Sequence, residues 1–295
     1  MDNKLCFVQF IHPGGEHKPD HGLIKSWNRS DHKRKFLKQT GSYVADARVE
    51  KGQMLFWGEW EPESRVERKI DDPIPRGPRF IYEPYYVMPK SYDGLQNTDP
   101  FVFGKQFHYT WCQQRKQQHK TQLRYLSRGS VILFGSCEGR NVFVLDTVFV
   151  VDHWMDHARA SYRRVLAGAI SQEYEEVTII PGYQDPSAEG KSCAAADSRE
   201  TWRLYFGVSY DNPLQGMYSF FSCQPYEAKS KGFARPKISL RRVITDNLNQ
   251  GKKLTEQPSL DEMKLLWGSV AGQVKEQGLA LGVYAEMPER RLTDR

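Results

Sequence analysis

The sequence predicts a mixed α+β fold, a strongly bent sheet or partial barrel with flanking helices. Three observations carry this expectation. Short apolar runs bounded by turn residues outnumber stretches of helical periodicity, the two kinds are interspersed along the chain, and residues 129–151 read as an antiparallel hairpin. With 295 residues, 39% of them hydrophobic and 13% aromatic, there is enough apolar material for one large packed unit. A single domain over residues 1–295 is expected, with any subdomain boundary inside 152–200, where the small-residue stretch DPSAEGKSCAAADS interrupts the pattern.

In chain order, KLCFVQFI (4–11) is the first strand. HKRKFLKQ reads as a short basic helix, and SYVADARV and GQMLFWGEWEP as two strands about a turn at Lys51-Gly52. RFIYEPYYV and VFGKQFHYTW are aromatic-rich strands. LRYLSRG supplies a helical turn into the hairpin, whose first strand ends at Phe134, turns through Cys-Glu-Gly-Arg and returns to Val151. HARASYRRVLAGAI is expected as a helix, EEVTIIP as a strand, and TWRLYFGVSY with GMYSFFSCQPY as a second antiparallel pair. SLDEMKLLWGSVAGQVKEQG is a helix with Ser259 as N-cap, Asp261 and Glu262 in its first turn and Gly278 as its stop. LALGVYAE is the last strand.

Several function classes are disfavoured. No apolar stretch reaches the roughly 18 residues of a membrane span, and Gln9, His12 and Glu16 cut short any signal-like run, so a cytoplasmic protein is expected. Five cysteines without a C-x-x-C pair suggest neither a disulfide framework nor a zinc knuckle. Walker A, G-x-G-x-x-G, G-x-S-x-G and zinc-deaminase motifs are all missing, which argues against nucleotide hydrolysis and dinucleotide redox chemistry. No cofactor is expected.

The charge pattern points toward a polyanion. Net charge is +6, and from Pro100 to Cys137 there is no acidic residue, while Lys105, Arg115, Lys116, Lys120, Arg124 and Arg128 all fall there. A second cluster spans Lys25 to Lys38, including Lys33 and Arg34, and a third runs from Lys229 to Arg242. Such runs also serve simply as solvated faces. Lys33, Arg34, Arg115, Lys116 and Lys120 are the candidate phosphate contacts, and the aromatic residues between the clusters suit stacking on unpaired bases. Most of those rings are expected in the core, with Trp57 and Trp60 the exceptions because FWGEWEPES leaves a strand into a polar segment.

Two stretches can carry chemistry. In FIHPGGEHKPDHG, His12, Glu16 and His17 surround a Pro-Gly-Gly turn and supply acids or hydrogen-bond donors; His12, His17 and His21 match no standard zinc spacing, and no metal is expected. In QNTDPFVFG, proline biases Asp99 away from helical conformation, so its carboxylate can orient a water or stabilise a cation forming on a sugar. Asp-Pro is also an ordinary turn. Asp99, Glu16 and His12 are therefore the candidate catalytic residues. His17, Asn28, Trp57, Glu59, Trp60, Phe101, Tyr109 and Gln113 are the candidate base pocket.

NTDPF is similar to the Gln-Asp-Pro-Tyr loop of uracil-DNA glycosylases, with Thr98 at the Gln position. More broadly, HPGGEH, NTDPFVFG, RGSVILFGS, FVLDTVFVV, GMYSFFSCQPY and FARPKISL together resemble the bacterial nucleotide-modification-associated domain proteins, and phage-defence DNA glycosylases acting on glucosylated hydroxymethylcytosine, over Phe7 to Leu240. The resemblance implies a DNA partner, phage DNA carrying modified bases, with a flipped cytosine excised by hydrolysis to leave an abasic site. The hairpin at 129–151 also resembles the strand pair of PUA and EVE readers, which implies recognition of a modified base without cleavage. A metal-dependent nuclease is a third alternative.

Overall fold

The computed structural model describes residues 3–11, 14–116, 119–138, 142–184, 200–239 and 258–292, with Lys116 described for its backbone alone. It is a mixed α+β protein, 43% strand and 15% helix. Among the described residues one 14-stranded sheet dominates, and no helix is long and apolar enough to cross a membrane.

Alternation along the strands shows how the sheet is buried. Phe7, Phe36, Leu55, Leu133 and Phe220 belong to one apolar cluster, while their neighbours Val8, Leu37, Phe56, Phe134 and Phe221 belong to another. Successive side chains on a strand point to opposite faces, so this sheet carries a core on each side. Helix Leu260–Glu276 covers one face with Met263, Val270, Ala271 and Val274. Its N-terminus is closed by a capping box, in which Ser259 Oγ accepts from the Glu262 N–H at 3.2 Å and Glu262 Oε2 accepts from the Ser259 N–H at 2.6 Å.

Strand Phe7–Ile11 pairs in parallel with Val131–Glu138, which continues antiparallel into the 16-residue strand Val142–His157. The register shifts between Phe134 and Gly135, where the sequence suggests the strand ends; the strand bulges there and runs on to Glu138. Residues 139–141 of the expected turn lie outside the described residues. Strand Val142–His157 then pairs with Trp202–Gly207, Phe220–Pro225 and Lys237–Ser239. The Trp202–Gly207 and Phe220–Pro225 strands, expected as a pair, each ladder onto Val142–His157 instead.

Five further local expectations are corrected. HKRKFLKQ is not a helix: residues Lys35–Ala45 form a strand of the hairpin with Arg48–Gly58, because both faces of that strand find apolar cover. The hairpin turns at Asp46-Ala47, with φ of 46° and 62°, and not at Lys51-Gly52, which lies within the ladder. EEVTIIP is helical, a π-turn at Glu175–Ile179 followed by Ile180–Gln184, even though its β-branched residues favour a strand. Val177, Ile179 and Tyr183 are buried there in the same cluster as Trp111 and Trp202. Only Tyr162–Val165 of the expected 157–170 helix is helical, and VFGKQFHYTW contributes a strand of two residues, His108–Tyr109.

Candidate functional site

Glu59 and Glu61 follow strand Arg48–Gly58 two residues apart, so both carboxylates share one side while Trp60 between them turns into the core. Three hydrogen bonds fix the neighbourhood. The Glu61 N–H donates to Thr98 Oγ1 at 3.0 Å, the Asn28 N–H to the Glu61 carbonyl at 2.8 Å, and the Asp99 N–H to Glu59 Oε1 at 3.3 Å. Against these carboxylates the polar segment after Asn28 folds back. Asn28 Nδ2 donates to the Ser30 and Asp31 carbonyls at 2.9 and 3.3 Å, which presents His32 to both glutamates.

The result is a buried charge network. His32 Nδ1 lies 2.9 Å from Glu59 Oε1 and 3.1 Å from Glu61 Oε1, and Arg34 bridges Glu59 Oε2 at 2.8 Å and Asp146 Oδ2 at 2.7 Å. Burial alone would disfavour the charged imidazole, but the two carboxylates outweigh it and lift His32 to about 11. For Arg34, burial is likewise overcome by Asp146 and Glu59, which push its pKa up. Burial would raise Glu61, yet His32 and His17 hold it well below the usual carboxylate range. Lys35, buried beside this network, is pulled down to about 7 by desolvation, and donates to the Pro62 carbonyl at 2.7 Å and Ser64 Oγ at 2.9 Å.

Arg235 connects the network to the surface. It donates to Asp146 Oδ1 at 3.2 Å on one side, and to the Gly14 carbonyl at 2.9 Å and Ser136 Oγ at 3.2 Å on the other. There a cleft of about 500 Å³ opens, lined by Glu16, Trp57 and Ser136 and by the cations Lys18, Arg76, Arg79, Arg235 and Lys237. Glu16 and Glu138 are its two carboxylates. Glu138 pairs with Arg76 and, at 2.9 Å, with Lys237. Glu16 Oε1 accepts the Arg79 and Phe80 N–H groups at 2.8 and 3.1 Å; burial outweighs these bonds and raises its carboxyl. Net positive charge in this concavity suits a phosphate-bearing ligand.

No family model, curated protein or solved structure matches the chain in any of the three comparisons. The site therefore stands on its own geometry.

Asp99, expected to be catalytic, is sealed in the interior at 0% exposure. Its carboxylate accepts the N–H groups of Thr110, Trp111 and Cys112 at 3.0, 2.8 and 2.9 Å, so it organises a backbone turn in place of a water. Burial still pushes it up to about 7 against those three donors. Of the other catalytic candidates, Glu16 reaches the cleft and His12 lies outside the described residues.

Within the expected base pocket only Trp57 borders the cleft, and against expectation it too is a core residue, 5% exposed, packed on Phe36 and donating its indole N–H to the Phe233 carbonyl at 2.8 Å. Trp60, Phe101 and Tyr109 are core residues, their rings packed on Phe103, Tyr174 and Tyr205 respectively. Asn28 spends its amide on its own turn, and Glu59 and His17 are buried in or beside the charge network. Gln113 is exposed with φ of 57°.

Among the expected phosphate contacts, Arg34 is corrected: it is 1% exposed and saturated by Glu59 and Asp146. Arg115 is also turned inward, paired with Glu200 at 2.5 Å and lying over Trp202. Lys33 and Lys120 are exposed, and Lys116 is described for its backbone alone. Sequence reasoning missed His32, Glu61, Asp146, Arg76 and Arg79. The spacing of Glu59 and Glu61 on either side of Trp60 was the available signal.

Proposed function

We propose that this protein binds DNA and holds a displaced, modified nucleotide at the cleft bounded by Glu16, Trp57, Arg79 and Arg235. The observation that carries this reading is the gathering of five cations from three separate parts of the chain around one concavity, against two carboxylates. Lys18 and Arg79 line this concavity, Arg79 close enough to Glu16 to work against the rise that burial causes in its carboxyl, and both could meet phosphate oxygens there. The preference for a modified base rests on the sequence resemblance.

Recognition without cleavage is the first reading, supported by the full burial of Asp99, the carboxylate expected to act on the sugar. Excision by a glycosylase is the second reading. Its support is Glu16, a carboxyl in the cleft wall raised by burial, as a proton donor to a leaving base requires.

One experiment separates them. Ordinary DNA and DNA containing glucosylated hydroxymethylcytosine are titrated with the protein by fluorescence anisotropy, then treated with alkali. Tighter binding to the modified DNA without strand breaks supports the reader, and breaks at modified cytosines that vanish in Glu16→Gln support excision. Equal failure to bind both DNAs at low salt overturns the proposal.

A further inference from the structure

The arrangement of His32, Glu59 and Glu61 does more than balance charge. Their donor atoms lie within 4.8 Å of one another, the spacing that three ligands of one small cation occupy. The set is one imidazole nitrogen and two carboxylate oxygens, a combination suited to Zn2+ and related first-row divalent ions, whereas Ca2+ and Mg2+ favour oxygen alone.

A second, independent observation points the same way. His17, 3% exposed, has its Nε2 without a hydrogen-bond partner, and it faces Glu61 Oε2, which also lacks one, at 3.7 Å. The two atoms form a long ion pair with each other, too far apart for a good hydrogen bond, so a closer partner between them would be favourable.

The surroundings fit a metal centre. Arg34 holds Glu59 Oε2 at 2.8 Å, leaving Oε1 directed at His32, and the backbone of Glu61 is anchored by Thr98 and Asn28, as outer partners orient ligands in metal sites. Access is through His32, whose side chain is 17% exposed while those of Glu59 and Glu61 are 1% and 0%.

We infer that His32 Nδ1, Glu59 Oε1 and Glu61 Oε1 form a binding site for one divalent transition-metal ion of the Zn2+ class, with His17 Nε2 as a further donor beside Glu61. The site lies in the network behind the cleft and is independent of whether the cleft binds DNA.

The test uses the full chain stripped with a chelator and titrated with Zn2+ by calorimetry, then with Co2+ as a visible-absorption probe. One equivalent of Zn2+ is expected, with a Co2+ d–d band of low coordination number. His32→Ala should weaken binding by more than the roughly 10–100-fold that loss of an outer partner costs, and His17→Ala by about that amount. Circular dichroism verifies that each variant is folded; if His32→Ala is not, the His17→Ala titration decides. Absence of stoichiometric Zn2+ binding, or binding unchanged in the folded variants and therefore held elsewhere, overturns the inference and leaves His32 as an imidazolium between two carboxylates.

Discussion

Arg34 and Asp146, 112 positions apart in the chain, meet at 2.7 Å in the interior, and Arg34 reaches Glu59 with its other arm. Neither acid is more than 4% exposed at its side chain. Removing the guanidinium takes the nearest cation from two buried carboxylates, leaving Asp146 with Arg235 at 3.2 Å and Glu59 with His32 at 2.9 Å. Arg34→Ala is therefore expected to cost about 3–5 kcal/mol of folding stability, read from urea unfolding. Arg34→Lys should recover only part, since an ammonium cannot present the same fork. A loss for Arg34→Ala within experimental error of zero would remove the network from the account of stability.

Asp99→Asn is expected to act on folding and not on chemistry. The amide directs its NH2 group toward backbone N–H groups that now meet a carboxylate oxygen, a mismatch of about 1–3 kcal/mol. Thermal unfolding should fall while DNA affinity stays unchanged. A variant with native stability and altered affinity would return Asp99 to the site.

Acid stability should depend on His108. Burial, with a smaller contribution from His153, pulls its pKa down to about 3, and both its ring nitrogens lack partners among rings of Tyr174, Phe101 and Phe206. An unfolded histidine takes up its proton near pH 6.5, so stability present above that pH is lost as pH falls toward 3. The slope is at most about 1.4 kcal/mol per pH unit for this group. His157, lowered to about 3 by burial and by Arg124, adds in the same direction. Denaturant unfolding of wild type and His108→Phe at pH 7 and pH 5 measures the difference; an identical pH loss in both would sink the argument.

Lys18→Ala and Arg79→Ala test the cleft by salt dependence. If each side chain neutralises one phosphate, each substitution lowers the slope of log K against log salt by about one, to a similar extent on every DNA sequence. Slopes that match wild type would place the DNA on another face.

How much of this was legible beforehand varies by element. The helix at Leu260–Glu276 was plain because Ser259, Glu262 and Gly278 act locally, and the hairpin through Val131 and Val151 because its apolar alternation is strong. HKRKFLKQ misled because its charges suggest a solvated helix, whereas Arg34 and Lys35 are buried by partners contributed from residues 59, 62, 64 and 146. The turn at Asp46-Ala47 has two positive φ values without a glycine to mark it. The opening loop and the third basic cluster were each visible as polar segments. Their convergence at Gly14 and Arg235 depends on pairing between distant strands, which no local window contains.

The ladder between Phe7–Ile11 and Val131–Gly135 has a consequence for the life of the chain. A parallel register over that separation is expected to close late, since the intervening polypeptide must first be gathered in. Until it does, the oily run VILF presents one bare row of amides and carbonyls to its surroundings. A protein trimmed ahead of Gly14 would keep that row permanently open, and the expected fate is sticky, self-templating association between copies.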